Sequence, residues 1–199
     1  MSPMTVIPPA ALSVDPSTGR MANATRHYEK RFKDLSGLYA DAAAYSAMLP
    51  ALSGVVVYDV WEHRASEAPG DLVFGTSVMR PGCVGDEFFF TRGHQHQVAD
   101  RSEVYHCLAG TGVMLMEHPK GEVRALPMAP QAIVYVPPHW IHRSANTGAD
   151  TLITVFCYAA DAGQDYGVIE NAGGMRARVV RDGAGGWKLA DNPGWRSRG

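Results

Sequence analysis

The sequence predicts an all-β barrel or sandwich, preceded by an N-terminal arm and a short helix. Two observations carry this. From Gly54 to Tyr158, short runs rich in β-branched and aromatic residues alternate with Gly, Pro and Asp. Their even spacing is that of sequential short strands, not of βαβ units. With 199 residues, 46% of them hydrophobic, the chain can bury one sizeable core as a single structural domain.

The elements follow in order. Residues 1 to about 25 are rich in Pro, Ser and Thr without a period, and are expected to form an extended arm. Over 27–49, Leu35, Leu38, Ala42, Tyr45 and Leu49 fall at three- and four-residue spacings. That pattern predicts a helix, which Pro50 stops. Residues 1–50 are then an arm and helix packed on the barrel, and 51–199 the barrel domain. Expected strands are Val55–Glu62, Leu72–Met79, Glu87–Gln97, Glu103–Ala109, Gly112–Glu117, Glu122–Met128, Ile133–Val136, His142–Asn146 and Thr151–Tyr158. A weaker pair, Ala177–Arg181 and Trp187–Leu189, lies in the tail.

Composition excludes several classes. The formal net charge is -2 and Lys and Arg form no runs, so no nucleic-acid footprint is expected. No apolar stretch approaches the roughly 20 residues of a membrane span. The N-terminus lacks a basic region and is broken by Pro3, Pro8, Pro9 and Pro16, unlike a secretory signal. Cys83, Cys107 and Cys157 are widely spaced and form no Cys-x-x-Cys pair. They are expected to be small buried hydrophobes in a reducing cytoplasm.

Chemistry concentrates between residues 94 and 142. His94 and His96 stand two apart, and on a strand such residues share a face. Glu103 follows after a polar stretch that can loop back as an antiparallel neighbour. His142 comes after a Pro137-Pro138 corner. Three imidazoles and a carboxylate suit one first-row divalent ion, with coordination positions left for substrate. A lone histidine is usually a surface or core residue; four correctly typed residues in a β-rich frame are not so easily dismissed. Alternation from Glu103 turns Tyr105 inward and His106 outward. His139 reads as a corner residue and the substitute ligand should His142 not serve. His27, His63 and His118 lie outside the constellation.

The pattern His-x-His…Glu…Gly, followed by Pro-x-x-x-x-His-x-x-x-Asn, resembles the two motifs of the cupin superfamily. Its fold is a small double-sheet jelly roll, or double-stranded β-helix. The resemblance makes His94, His96, Glu103 and His142 the metal ligands. The gap between His96 and Glu103 is longer than in many cupins, and Gln131 and His139 stand where the second motif often has glycine. Further blocks are similar to the cupin-type glucose-6-phosphate isomerases: Gly70-Asp71-Leu72, Gly85-Asp86-Glu87-Phe88-Phe89, Thr91-Arg92-Gly93-His94, Asp161-Ala162-Gly163, Asp165-Tyr166-Gly167 and Asp191-Asn192-Pro193-Gly194-Trp195. This likeness spans residues 54 to 195. It implies interconversion of glucose 6-phosphate and fructose 6-phosphate in glycolysis or gluconeogenesis, by a homodimer with one divalent metal. Fe is the first choice, with Mn, Ni, Co or Zn as alternatives.

By position, the resemblance puts Ser77, Thr91 and Gly93 at the phosphate, with Tyr158 and Tyr166 nearby and Tyr58 and Tyr105 along the sugar. Strict alternation puts Thr91 and Gly93 opposite His94, so both reach the site only if the strand bulges or twists at Gly93. Ser77 replaces a usual Thr, and Gln164 replaces a His often found before the Asp-Tyr-Gly block. Glu103 is the candidate base of an enediol route, in tension with its role as ligand; a direct hydride shift is the other route. Tyr105 is a candidate proton relay. The phosphate is expected to meet hydroxyls and backbone N–H groups, since no basic cluster is visible. Cupins host many chemistries. The alternatives are an isomerase or epimerase of another sugar phosphate, a dioxygenase, and a non-catalytic sugar-binding cupin.

Overall fold

The structure is a computed structural model that describes residues 6–198. Arg26–Arg31 forms β1, Ala42–Leu52 helix α1, Val56–Arg64 β2 and Leu72–Met79 β3. Two short strands, Cys83–Val84 (β4) and Glu87–Phe88 (β5), precede Glu103–Ala109 (β6), Gly112–Glu117 (β7), Val123–Met128 (β8), Ile133–Val136 (β9), Ile141–Asn146 (β10) and Leu152–Ala159 (β11). A short helix, Gly167–Glu170 (α2), leads to Ala177–Arg181 (β12) and Trp187–Asp191 (β13). The chain is all-β as expected. No helix among the described residues is long and apolar enough to cross a membrane.

One sheet runs β1-β2-β3-β11-β6-β9, and others run β10-β7-β8 and β13-β12-β5-β4. The segment after β5 joins the last two, because Phe90 bridges Ala145 and His94 bridges His142. The core between the layers holds Val57, Met79, Met114, Leu115, Val136 and Leu152, all nearly free of solvent. The inward set follows the strand period of two. Aligned across the first sheet are Glu62, Gly75, Phe156, Tyr105 and Val134, and beside them Arg64, Val73, Tyr158, Glu103 and Val136.

The helix expected over 27–49 is corrected. Residues 26–31 pair with β2 instead, Phe32–Leu35 makes a 3-10 turn, and α1 begins only at Ala42. The three- and four-residue series crosses a loop containing Gly37 at φ 78°. The true helix start is marked by Asp41, whose side chain accepts from the Ala44 N–H at 2.8 Å, an N-cap. Pro50 does not stop the helix, which runs to Leu52. Its missing N–H costs the Ser46 carbonyl its helical partner, yet the helix continues and closes with the Ser53 N–H on the Leu49 carbonyl at 2.9 Å. Tyr45 anchors α1 to the core by donating to the Phe32 carbonyl at 2.7 Å.

Of the expected arm, residues 1–5 lie outside the described residues. Most of the rest is irregular and exposed, with one bridge between Val14 and Met21. Among the cysteines, only Cys107 is fully buried; Cys83 and Cys157 are half-buried, and all three are free thiols. The strand expected over Glu87–Gln97 is regular only at Glu87–Phe88. Gly93, at φ 75°, breaks the alternation beyond it.

Candidate active site

His94 and His142 face one another across a closed backbone pair, N–H to carbonyl at 3.1 and 3.0 Å. Their rings are 4.5 Å apart. His96 enters two residues on, and Glu103 comes from the start of β6 in the facing sheet. One donor atom from each of the four lies within 4.8 Å of the others, and all four residues are buried. Glu103 Oε2 is 2.9 Å from His142 Nε2, 3.3 Å from His96 Nε2 and 3.9 Å from His94 Nε2. His139 and His106 take no part in the cluster.

The hydrogen bonds behind the rings say what the cluster can hold. His96 Nδ1 lies 2.9 Å from the Arg101 carbonyl, and His142 Nδ1 lies 3.3 Å from the Trp140 carbonyl. A carbonyl only accepts, so each Nδ1 carries the hydrogen. In the neutral ring each Nε2 then presents a lone pair. Two such lone pairs aimed at one carboxylate oxygen repel unless a cation sits among them. The buried Nε2 atoms of His94 and His96 make no hydrogen bond. The donor set therefore fits a transition-metal ion.

Titration follows the same geometry. Burial, then neighbouring His142, holds His94 well below the usual imidazole range. Burial would raise Glu103, but the neighbouring imidazoles of His142 and His96 outweigh it and keep the carboxyl well below its ordinary value. Burial likewise opposes protonation of His96, and Glu103 reverses the balance, so His96 is raised.

A pocket opens above the cluster. It is lined by every substrate contact expected from the sequence: Tyr58, Ser77, Thr91, Gly93, Tyr105, Tyr158 and Tyr166. Thr91 and Gly93 reach it because the left-handed Gly93 turns the chain, as the alternation argument required. Thr91 Oγ1 accepts from the Ser144 N–H at 3.1 Å, and Tyr58 Oη accepts from the Arg92 N–H at 3.3 Å. Burial pushes the Tyr58 phenol up to about 12. Burial and then Glu103 raise Tyr105 further. Both hydroxyls remain protonated donors at neutral pH.

Several pocket residues were not singled out in the sequence: Tyr28, Glu62, Arg92, Ser144 and Phe156. Glu62 was legible in principle. It lies four residues after Tyr58, so period-two alternation on β2 sends both to one face. Glu103 is thus not the only carboxylate of the site. The absence of a basic cluster is also corrected. Arg26, Lys30, Arg64 and Arg92, separate in sequence, line one outer vestibule with Glu29 and Glu67. Arg92 lies over the Tyr166 ring, 4.3 Å from its centroid, and pairs with Glu170.

Two facing sheets with a three-histidine, one-carboxylate cluster between them define a cupin able to hold a metal. The model of the glucose-6-phosphate isomerase (GPI) family matches residues 29–196. Glucose-6-phosphate isomerase of Sinorhizobium medicae is 56% identical over 190 residues, covering 96% of this chain and 89% of that one. That of Thermococcus gammatolerans is 43% identical over 94% of this chain and 96% of its own. That of Pyrococcus abyssi is 41% identical over 95% and 98%. The chain belongs to the glucose-6-phosphate isomerase family.

Proposed function

We propose that this chain interconverts glucose 6-phosphate and fructose 6-phosphate, using one divalent ion held by His94, His96, Glu103 and His142. The supporting observation is the four-donor cluster at the floor of a hydroxyl-lined pocket, in a chain of this family. Fe is the first choice for the ion, and the donor set also accepts Mn, Ni, Co or Zn. When bound, the ion supplies Lewis-acid stabilisation of the negative charge that develops on a sugar oxygen during hydrogen transfer between C1 and C2.

The chain's own groups do the rest. Ser77, Thr91 and the Gly93 N–H receive the phosphate, with Tyr158 and Tyr166 beside it. Tyr58 and Tyr105 line the sugar, and the protonated Tyr105 hydroxyl is placed to relay a proton. The arginine-rich vestibule draws the dianion inward. In an enediol route Glu103 takes the proton from C2; in a hydride route the hydrogen passes directly between the carbons. Deuterium at C2 separates them, being lost to water in the first and retained at C1 in the second.

The chain is read as a cytoplasmic homodimer. The supporting feature for association is an apolar patch on the edge of the first sheet. There Ile133 is 70% exposed and Tyr135 54%, with Val104 beside them, more than a lone surface residue. The deciding experiment is a coupled assay on fructose 6-phosphate after chelation and after single metals are restored, with mannose 6-phosphate in parallel. Restoration by one ion, with preference for fructose 6-phosphate, is expected. No turnover of fructose 6-phosphate at full metal loading sinks the reading.

A further inference from the structure

Glu62 is a buried carboxylate for which the scheme above has no use. It is 4% exposed, yet Oε1 makes no hydrogen bond. Its partners are loose: Arg26 at 3.5 Å from β1 and Arg64 at 3.8 Å from β2 itself. A carboxylate kept for structure is normally satisfied by several short hydrogen bonds. Glu62 instead lines both the pocket and its vestibule. Gly75 stands directly across from it on β3. A Cβ on Gly75 would strike the Trp61 carbonyl, the Phe156 ring and the Glu62 Cα, so glycine lets Phe156 and β2 pack closely here. Tyr28, Tyr158, Tyr166, Arg92 and Gln164 line the same space.

We propose that Glu62 is the acid–base group that opens the sugar ring. The proposal rests on the isomerase reading and deepens it. Hexose phosphates are overwhelmingly cyclic, and hydrogen transfer between C1 and C2 needs the open chain. Glu103 is poorly suited, since its Oε2 is turned to the imidazole cluster. Gln164 carries an amide that cannot exchange a proton at neutral pH. Glu62 is the other carboxylate of the pocket. It takes the proton from the anomeric hydroxyl as the carbonyl forms. The electron pair of the bond between the anomeric carbon and O5 moves to O5, and Glu62 returns the same proton there. The proton has moved from one sugar oxygen to the other, and the carboxylate ends as it began.

The test compares wild type with Glu62→Gln in three measurements: kcat/KM on fructose 6-phosphate, enzyme-catalysed exchange of glucose 6-phosphate anomers by NMR, and inhibition by an acyclic six-carbon phosphoaldonate. We expect kcat/KM to fall about 100-fold or more, in line with loss of a general acid–base group, and anomer exchange to disappear. The inhibitor, having no ring to open, should bind within threefold of wild type. Near-normal kcat/KM or retained anomer exchange overturns the proposal. So does a matching loss of inhibitor affinity, because Glu62 would then only shape the pocket. If Glu62→Gln does not fold, Glu62→Asp keeps the charge between the arginines, withdraws the oxygens by one methylene and is read on the same scale. Wild-type protein inactive on fructose 6-phosphate defeats the parent reading; an active wild type with an equally active variant defeats this one alone.

Discussion

Gly93 is the hinge on which the site's assembly turns, and alanine there should damage both stability and metal retention. Two costs add. The first is the left-handed backbone at φ 75°, about 1–2 kcal/mol for a residue with a Cβ. The second is contact. The new methyl would lie 2.9 Å from Arg143 Cβ, 2.9 Å from the His142 carbonyl and 3.0 Å from Ile169 Cδ1. The carbonyl is backbone and the Arg143 Cβ is fixed by its own Cα, so neither can swing away and about 1–3 kcal/mol of overpacking follows. Gly37→Ala is the matched control, with φ 78° and nothing within 4 Å of the added atom. It carries the backbone cost alone, and the smaller unfolded-state entropy of Ala is common to both variants. The difference between them is then about 1–3 kcal/mol, or about 2–12 °C in Tm for a chain of this length. Thermal unfolding with metal analysis measures it. Gly93→Ala should also bind less metal, since His94 is its neighbour and His142 meets the methyl. Equal Tm values for the two variants, with full metal content in both, would refute the reasoning.

Glu103→Gln should lower kcat at least about 100-fold, and Glu103→Ala should also cut the metal bound per chain; an active, metal-replete Ala variant rules out both roles. Burial raises the Glu87 carboxyl, against the Ala40 N–H at 3.1 Å, which lowers it. The folded state therefore holds its proton to higher pH than the unfolded one, and this group's contribution to stability is lost as pH rises above the ordinary carboxyl value. Glu87→Gln should match wild type in acid and exceed it near pH 7 in denaturant titrations; a deficit at pH 7 contradicts the sign. Tyr135→Lys should shift the protein toward monomer in sedimentation or light scattering, while a monomeric wild type removes the basis for association at that edge.

Most strands and the four-residue cluster were legible because each rests on a local rule. Alternation fixes which residues of β3, β6 and β11 face inward, and the two histidine motifs carry fixed spacings. What failed depended on contacts distant in sequence. Arg26–Arg31 is a strand because β2 offers it an edge, something the helical spacing of Leu35, Leu38 and Ala42 cannot register. The vestibule draws Arg26, Lys30, Arg64 and Arg92 from several parts of the chain, so no window along the sequence shows a basic cluster. Glu62 was legible in principle, because its phase on β2 matches Tyr58, but it belongs to no spaced motif. Gln131 and His139, placed where glycine was expected, adopt φ of 73° and 72°. The turn kept its left-handed geometry although the residues changed.

The long stretch between His96 and Glu103 has a purpose that its spacing alone could not reveal. The loop over 97–102 is tied at several points. The Val98 N–H donates to the Ala162 carbonyl at 2.9 Å, and the His139 N–H donates to the Ala99 carbonyl at 2.6 Å. Arg101 forms a two-pronged bond to Asp161, with Nε at 3.0 Å and Nη2 at 2.7 Å. These anchors hold the Arg101 backbone carbonyl against His96 Nδ1. That contact places the ring hydrogen on Nδ1 and leaves Nε2 free to bind a cation. A shorter gap would bring the chain to β6 without presenting that carbonyl. The additional residues thus set the tautomer of His96, and the Arg101–Asp161 pair supports the candidate metal site although neither side chain is among its four donors.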